Sequence, residues 1–199
     1  MEGRDKLYIE FAGQRLLERI ATSLQTRFSD LVAISSRTDA FDGLGYRVAP
    51  DELPDGGPLV GLLTALKAST SDWVYLVACD MPFFSAAWVD RLMAGLDQSV
   101  AGGWHPAAAA ARSGPFFEPF HAFYHASLAP YIEAAIGAST RPPSIQSVVR
   151  PHDMVLIDDV ERYGDGQRLF VNLNTPGDIT AAELLLKDRD SLRAGISGI

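Results

Sequence analysis

Three short clusters hold the residues of this sequence best suited to chemistry on a charged ligand: "CDMPF", "VNLNTPGD" and "DGGPLVG". Asp80 directly follows the apolar run "WVYLVAC". Ligands of open α/β sheets gather beyond the carboxyl ends of the strands, where a carboxylate can hold Mg²⁺ against a phosphate, since a hard cation takes oxygen ligands. The same Asp80 also suits the start of a plain turn, "DMPF". Asn172 and Asn174 are two apart, so in an extended segment they point the same way and can act on one ligand together. They also suit a strand-to-helix turn in which asparagines bond their own backbone, with Thr175 capping a helix that starts at Pro176. Gly56 and Gly57 let a backbone come close to a ring or a phosphate, or simply form a loop before Pro58. Cys79 reads as a small buried hydrophobe rather than a reactive thiol. His105, His121, His125 and His152 do not form a metal-ligand spacing and read as surface or ligand-channel residues.

The elements that must position these residues alternate between strand and helix. "LLERIATSLQTRF" spaces its apolar residues three and four apart and predicts a helix, followed by strands at "DLVAISS" and "GYRVAP". "PLVGLLTALKAS" predicts a helix entered through Pro58, and "WVYLVACD" a strand buried on both faces. "SAAWVDRLMAGLD" predicts a helix capped by Ser85. The Gly-, Pro- and aromatic-rich stretch 99–125 predicts short antiparallel strands. Helices at "SLAPYIEAAIGAS" and "SIQSVVR", a strand at "MVLIDDV" and a closing helix from Thr175 complete a three-layer α/β/α, Rossmann-like domain with a mostly parallel sheet.

Bulk properties exclude several classes. The chain has 199 residues, of which 47% are hydrophobic, enough for a sizeable core in one domain. A net charge of −8 and no basic block argue against duplex nucleic acid as a partner, although a few lysines or arginines suffice for a small phosphate compound. With a single cysteine there is neither an intramolecular disulfide nor a cysteine-rich zinc site. No apolar run has the length of a membrane helix or the form of a signal peptide, so the reading is a cytoplasmic protein with no membrane partner.

Taken in order, "GRDK" at Gly3 to Lys6, "GPLVG" at Gly57 to Gly61, "CDMPF" at Cys79 to Phe83 and "NLNTPGD" at Asn172 to Asp178 resemble the molybdenum cofactor guanylyltransferases of the nucleotidyltransferase superfamily. The four motifs stand in register along almost the whole chain. The resemblance implies one nucleotidyltransferase domain over 1–199, its N-terminal half binding nucleotide and its C-terminal half binding molybdopterin. It implies transfer of GMP from Mg-GTP to molybdopterin with release of pyrophosphate. Lys6 then neutralises triphosphate oxygens and Asp80 anchors Mg²⁺, with Asn174 completing the metal shell. Gly3, Ser36, Gly57, Pro58 and Leu59 border the nucleotide, and Asn172 and Asn174 line the acceptor side. Other proteins of cofactor biosynthesis, or the molybdoenzymes themselves, are expected partners. Ser36 stands before Arg37 where the family often has an asparagine that reads guanine, and its single hydroxyl offers less than an amide. Guanine preference is an expectation on that account, and a cytidylyl- or sugar-phosphate nucleotidyltransferase is the neighbouring alternative.

In the family a strand and an L-A-G-G-type phosphate loop precede G-x-D-K. The expectation is therefore that this chain begins at an internal methionine, about 15 to 20 residues late by usual strand and loop lengths. A non-catalytic module that binds pterin or a partner is the alternative that follows from that expectation.

Overall fold

A computed structural model describes residues 6–50, 53, 56–163 and 166–196. Gly3 lies outside them, and so do the side chains of Lys6 and of residues 188–196. A 3-10 turn, Lys6–Tyr8, leads into a tight hairpin of β1 (Glu10–Phe11) and β2 (Gln14–Arg15). Its two turn residues have positive φ, 53° at Ala12 and 75° at Gly13. Then come α1 (Leu16–Leu24), β3 (Leu31–Ile34), β4 (Tyr46–Ala49), α2 (Gly57–Ala68), β5 (Trp73–Leu76) and α3 (Ala86–Ala101). The second half holds β6 (Ala108–Ser113), β7 (Phe116–Phe117), β8 (Ala122–His125), α4 (Ala129–Gly137), α5 (Ile145–Val148), β9 (Met154–Ile157), α6 (Val160–Tyr163) and α7 (Pro176–Ile196).

The three-layer α/β arrangement expected from the alternation of elements is present, and its ladders are mixed. β3 pairs β4 in parallel, and β6 pairs β9 in parallel. β8 is antiparallel to both β5 and β6, and β7 is antiparallel to β6, as the irregular stretch 99–125 predicted. One sheet face packs against α2, α4 and α5 through Ala108, Ala110, Ala122 and Tyr124. The other packs against α3 through Ala109, Ala111 and Phe123. The run Ala108–Ala111 is fully buried. Four methyl side chains on a strand covered on both faces let the helices come close, and Gly95 of α3 uses that closeness. A Cβ there would stand 3.0 Å from Val155 Cγ1.

Caps close the helices where the sequence indicated. Trp88 N donates to Ser85 Oγ at 3.2 Å to start α3, and Asp178 N donates to Thr175 Oγ1 at 3.2 Å to start α7.

Three expectations from the sequence are corrected. The strand at "WVYLVACD" was expected to be buried on both faces, but every residue of β5 is half-buried, because among the described residues it pairs on one side only, with β8. The run after β5 leaves the sheet at Leu76, so Cys79 is exposed rather than a buried hydrophobe. His121 is neither a surface nor a channel residue, because it is fully buried. Its ring Nδ1 shares a 2.9 Å hydrogen bond with Tyr75 Oη, its amide donates to Leu76 O at 2.7 Å, and its carbonyl accepts from Trp88 Nε1 at 2.8 Å. Nε2 has no hydrogen-bond partner among the described residues. The φ of 52° belongs to the left-handed region, which asparagine tolerates better than most residues.

Burial pushes the His121 pKa down from 6.5 to about 3, so the folded protein holds the ring neutral. The unfolded chain takes up a proton below pH 6.5, so this contribution to stability is intact above that value and is lost as pH falls toward 3. At about 1.4 kcal/mol per pKa unit, roughly 2 kcal/mol is lost by pH 5. Urea unfolding at pH 7.5 and pH 5.0 is expected to show that loss in the parent and not in His121→Asn. Equal pH dependence in the two proteins would refute the assignment.

Candidate functional site

The carboxyl end of β5 is where the sequence clusters meet. Asp80 sits half-buried in a turn whose start is fixed by Met81 N donating to Ala78 O at 3.2 Å. Its carbonyl accepts a hydrogen bond from Leu173 N at 2.8 Å. Asn172 and Asn174 flank Leu173 and are both exposed, while Leu173 is fully buried. The alternation predicted from their spacing is therefore realised: the middle residue turns inward and its neighbours turn out. One backbone bond thus joins the aspartate segment to the asparagine pair across 93 positions of sequence.

Beneath the site, buried side chains from three segments form one apolar plug. Phe11, Phe83 and Leu173 share a cluster with Ile9, Leu16 and Ala182, and the Phe11 and Phe83 rings meet edge to face at 6.0 Å. The plug ties the hairpin after Lys6, the turn after Asp80 and the loop carrying the asparagines to a common floor. Above it the asparagine loop is held rigidly. Asp178 Oδ2 accepts from Asn174 N at 2.9 Å and from Thr175 N at 2.7 Å, while Thr175 caps Asp178 in return. The two Thr175 hydrogen bonds, backbone first, hold the Asp178 carboxyl below the usual carboxylate range. The Thr-x-x-Asp spacing is a capping signal in the sequence, so Asp178 was readable as a positioning residue.

A cavity of about 440 Å³ runs from this end of the molecule between α1 and α2. Leu7, Pro58 and Cys79 all line it, so a chain neighbour of Lys6, the entry of α2 and a chain neighbour of Asp80 share one opening. Gly57 and Pro58 are exposed at the start of α2, and Gly57 has a φ of 72°. Leu59 differs: its side chain is buried in the core beside Leu62 and Ile132, which leaves its backbone as the part that can face a ligand. Ser36 is exposed in the bend after β3.

One group of residues passed unnoticed in the sequence. Tyr8 Oη donates to Asp39 Oδ2 at 3.0 Å, Arg37 Nη2 donates to Tyr8 Oη at 3.1 Å, and Arg37 Nε donates to Asp39 Oδ1 at 3.3 Å. Arg15 adds its guanidinium over the Tyr8 ring and donates to Leu7 O at 3.4 Å and Ala40 O at 2.8 Å. Together they fasten the turn beginning at Lys6 to the loop beyond β3. Arg37 holds the Asp39 carboxyl below its ordinary value, and Asp39 raises Arg37 in turn. The Arg-x-Asp spacing at 37–39 was visible, but no sequence signal links it to Tyr8.

Among the described residues no three His, Cys, Asp or Glu side chains converge on a point that could hold a metal. The backbone bond between Leu173 and Asp80 brings onto neighbouring segments one carboxylate residue, Asp80, and two amide residues, Asn172 and Asn174. That set of hard oxygens suits a cation that keeps water and phosphate as the rest of its shell. No helix among the described residues is long and apolar enough to cross a membrane.

Residues 1–155 match the model of the MobA-like NTP transferase domain. The molybdenum cofactor guanylyltransferase of Syntrophotalea carbinolica is 30% identical over 88% of this chain and 81% of its own length. That of Shewanella frigidimarina is 31% identical over 88% of this chain and 85% of its own. Among solved structures, molybdopterin-guanine dinucleotide biosynthesis protein A from Archaeoglobus fulgidus superposes with a TM-score of 0.67 at 20% identity, over 94% of this chain and 92% of that one. The 2-C-methyl-D-erythritol 4-phosphate cytidylyltransferase of Thermus thermophilus superposes with a TM-score of 0.65 at 15% identity, covering 92% and 94%. The two superpositions speak for a nucleotidyltransferase fold, and the match over residues 1–155 carries the assignment: the chain belongs to the MobA-like NTP transferases.

Proposed function

We propose that this protein transfers GMP from Mg-bound GTP to molybdopterin and releases pyrophosphate. The observation that supports the reading is the hydrogen bond from Leu173 N to Asp80 O, which joins the turn carrying Asp80 to the loop carrying the two exposed asparagines. The names of the relatives supply the guanylyl donor and the pterin acceptor.

Transfer of a nucleotidyl group asks a protein chiefly for positioning and for charge neutralisation. Mg²⁺ would supply positive charge that offsets the charge of the phosphates. Asp80 and Asn174 are the residues that would hold it. The Lys6 ammonium neutralises oxygens on the leaving side of the triphosphate. Asn172 and Asn174 orient the acceptor phosphate through their amides. Gly3, Gly57, Pro58 and the Leu59 backbone border the nucleotide, and Ser36 reads the base edge with one hydroxyl. The cytoplasm, where GTP is abundant, is the compartment this reaction needs.

The test is formation of the guanylylated pterin from GTP and molybdopterin with Mg²⁺, with CTP in a parallel reaction. Product from GTP and none from CTP is expected; product from CTP alone would move the protein to a cytidylyl branch, and pterin binding without turnover would make it a binding module. Asp80→Asn is expected to lower turnover about 100- to 1,000-fold, the usual effect of removing one charge-stabilising group, with the melting temperature nearly unchanged. Leu173→Ala empties part of the buried plug and is expected to cost about 2–5 kcal/mol in urea unfolding. Its turnover is expected to fall as well, because the loop carrying the asparagine pair loses its packing into the plug.

A further inference from the structure

The turn at Lys6–Tyr8 and the loop after β3 are joined through one phenol. The guanidinium groups of Arg15 and Arg37 stand over the Tyr8 ring, with Cζ 5.0 Å and 5.7 Å from its centroid. The Tyr8 oxygen accepts from Arg37 Nη2 at 3.1 Å and donates to Asp39 Oδ2 at 3.0 Å. A hydroxyl is both donor and acceptor, which is what lets it stand between a cation and a carboxylate. Phenylalanine in its place would keep the ring and lose the link.

Both ends of the link are anchored. In the loop, Ser35 N donates to Ala49 O at 3.0 Å, Arg37 N to Ser35 Oγ at 3.0 Å and Phe41 N to Thr38 O at 3.0 Å. Ala40 and Phe41 are buried, so the bend that carries Ser36 is fixed on both flanks. In the turn, Arg15 Nη2 ties Leu7 O to Ala40 O, and Leu7 packs against the cluster of Leu17, Ala33, Ala40 and Phe41. A 3-10 turn of three residues has too few bonds of its own to hold a place, so these contacts set where it lies. The side chains of Arg37 and Asp39 are 49% and 61% exposed, and pairs so open to water add little stability. The effect of the network is therefore on geometry.

What it holds at a fixed distance are the backbone of Lys6, two residues before Tyr8, and that of Ser36, the neighbour of Arg37. Under the transferase reading these serve opposite ends of one nucleotide. Two subsites held at the right spacing bind a ligand that spans them far better than its parts, because the second contact costs little further freedom once the first is made. We propose that Tyr8 is a positioning residue that sets the span between the triphosphate lysine and the base-reading loop, with Arg37 and Asp39 as its partners. This role rests on the transferase reading. It favours ligands that carry base and triphosphate together over either part alone.

Titration calorimetry of GTP with Mg²⁺, with guanosine and inorganic triphosphate as competitors, separates this role from a general structural one. In Tyr8→Phe the dissociation constant for GTP is expected to rise about 5- to 10-fold, the usual loss of one hydrogen bond, while those for guanosine and triphosphate stay within about twofold of the parent. The melting temperature is expected to be nearly unchanged, and in turnover KM rises for GTP and not for molybdopterin. Asp39→Ala is expected to show the same pattern and the double variant no further loss, since both substitutions break one link. Equal GTP affinity in parent and variants overturns the proposal. So does a loss for guanosine or triphosphate as large as that for GTP, which would place Tyr8 within a single subsite. A parent that binds no GTP overturns the transferase reading and this role with it, whereas a parent that binds GTP beside unaffected variants overturns the role alone.

Discussion

The bond from the Leu173 amide to the Asp80 carbonyl is the constraint on which the rest of the site depends. A backbone donor and a backbone acceptor fix distance and direction together, and neither can be replaced by altering a side chain. The bond is made by backbone groups alone and leaves the side chains of Asp80 and of the two asparagines outside the contact. The plug of Phe11, Phe83 and Leu173 below keeps the partners from drifting. Polar groups for chemistry are exposed on a floor whose own hydrogen bonding is already satisfied, which is how a site holds its shape before a ligand arrives.

The same economy governs the scaffold. Alanines at 108–111 cost little side-chain entropy and let α3 approach β9 until Gly95 touches Val155. The polar atoms buried there are few and mostly bonded, with His121 Nε2 the exception on the side of α3. That ring bridges Tyr75 of β5 and the Phe170 ring, so a buried neutral histidine sits between β5 and the loop that leads to Asn172. Its position in the left-handed region shows that packing, not local preference, decides its conformation.

Much of this was legible in the residues themselves. The helix over Leu16–Leu24 follows from apolar spacing, α2 from Pro58 after two glycines, and α7 from Thr175 and Asp178. The asparagine pair was readable as a pair because strand geometry alone sets the direction of residues two apart. What stayed hidden depends on contacts remote in sequence. Cys79 is apolar in type and follows six apolar residues, yet its exposure is decided by where β5 stops pairing. Nothing near Tyr8 announces Arg37, because the two meet only when the first turn folds against the loop after β3. His121 looks like any loop histidine until Tyr75 and Trp88 are brought to it.

Helix α7 begins immediately after the asparagines, and one of its own side chains reaches back across the molecule: Glu183 Oε1 accepts from Ala12 N at 3.0 Å, in the hairpin that follows Lys6. A single helix is thus clamped at one end to the asparagine loop and along its length to the β1–β2 hairpin. Tilting that helix would move the asparagine loop and the β1–β2 hairpin together.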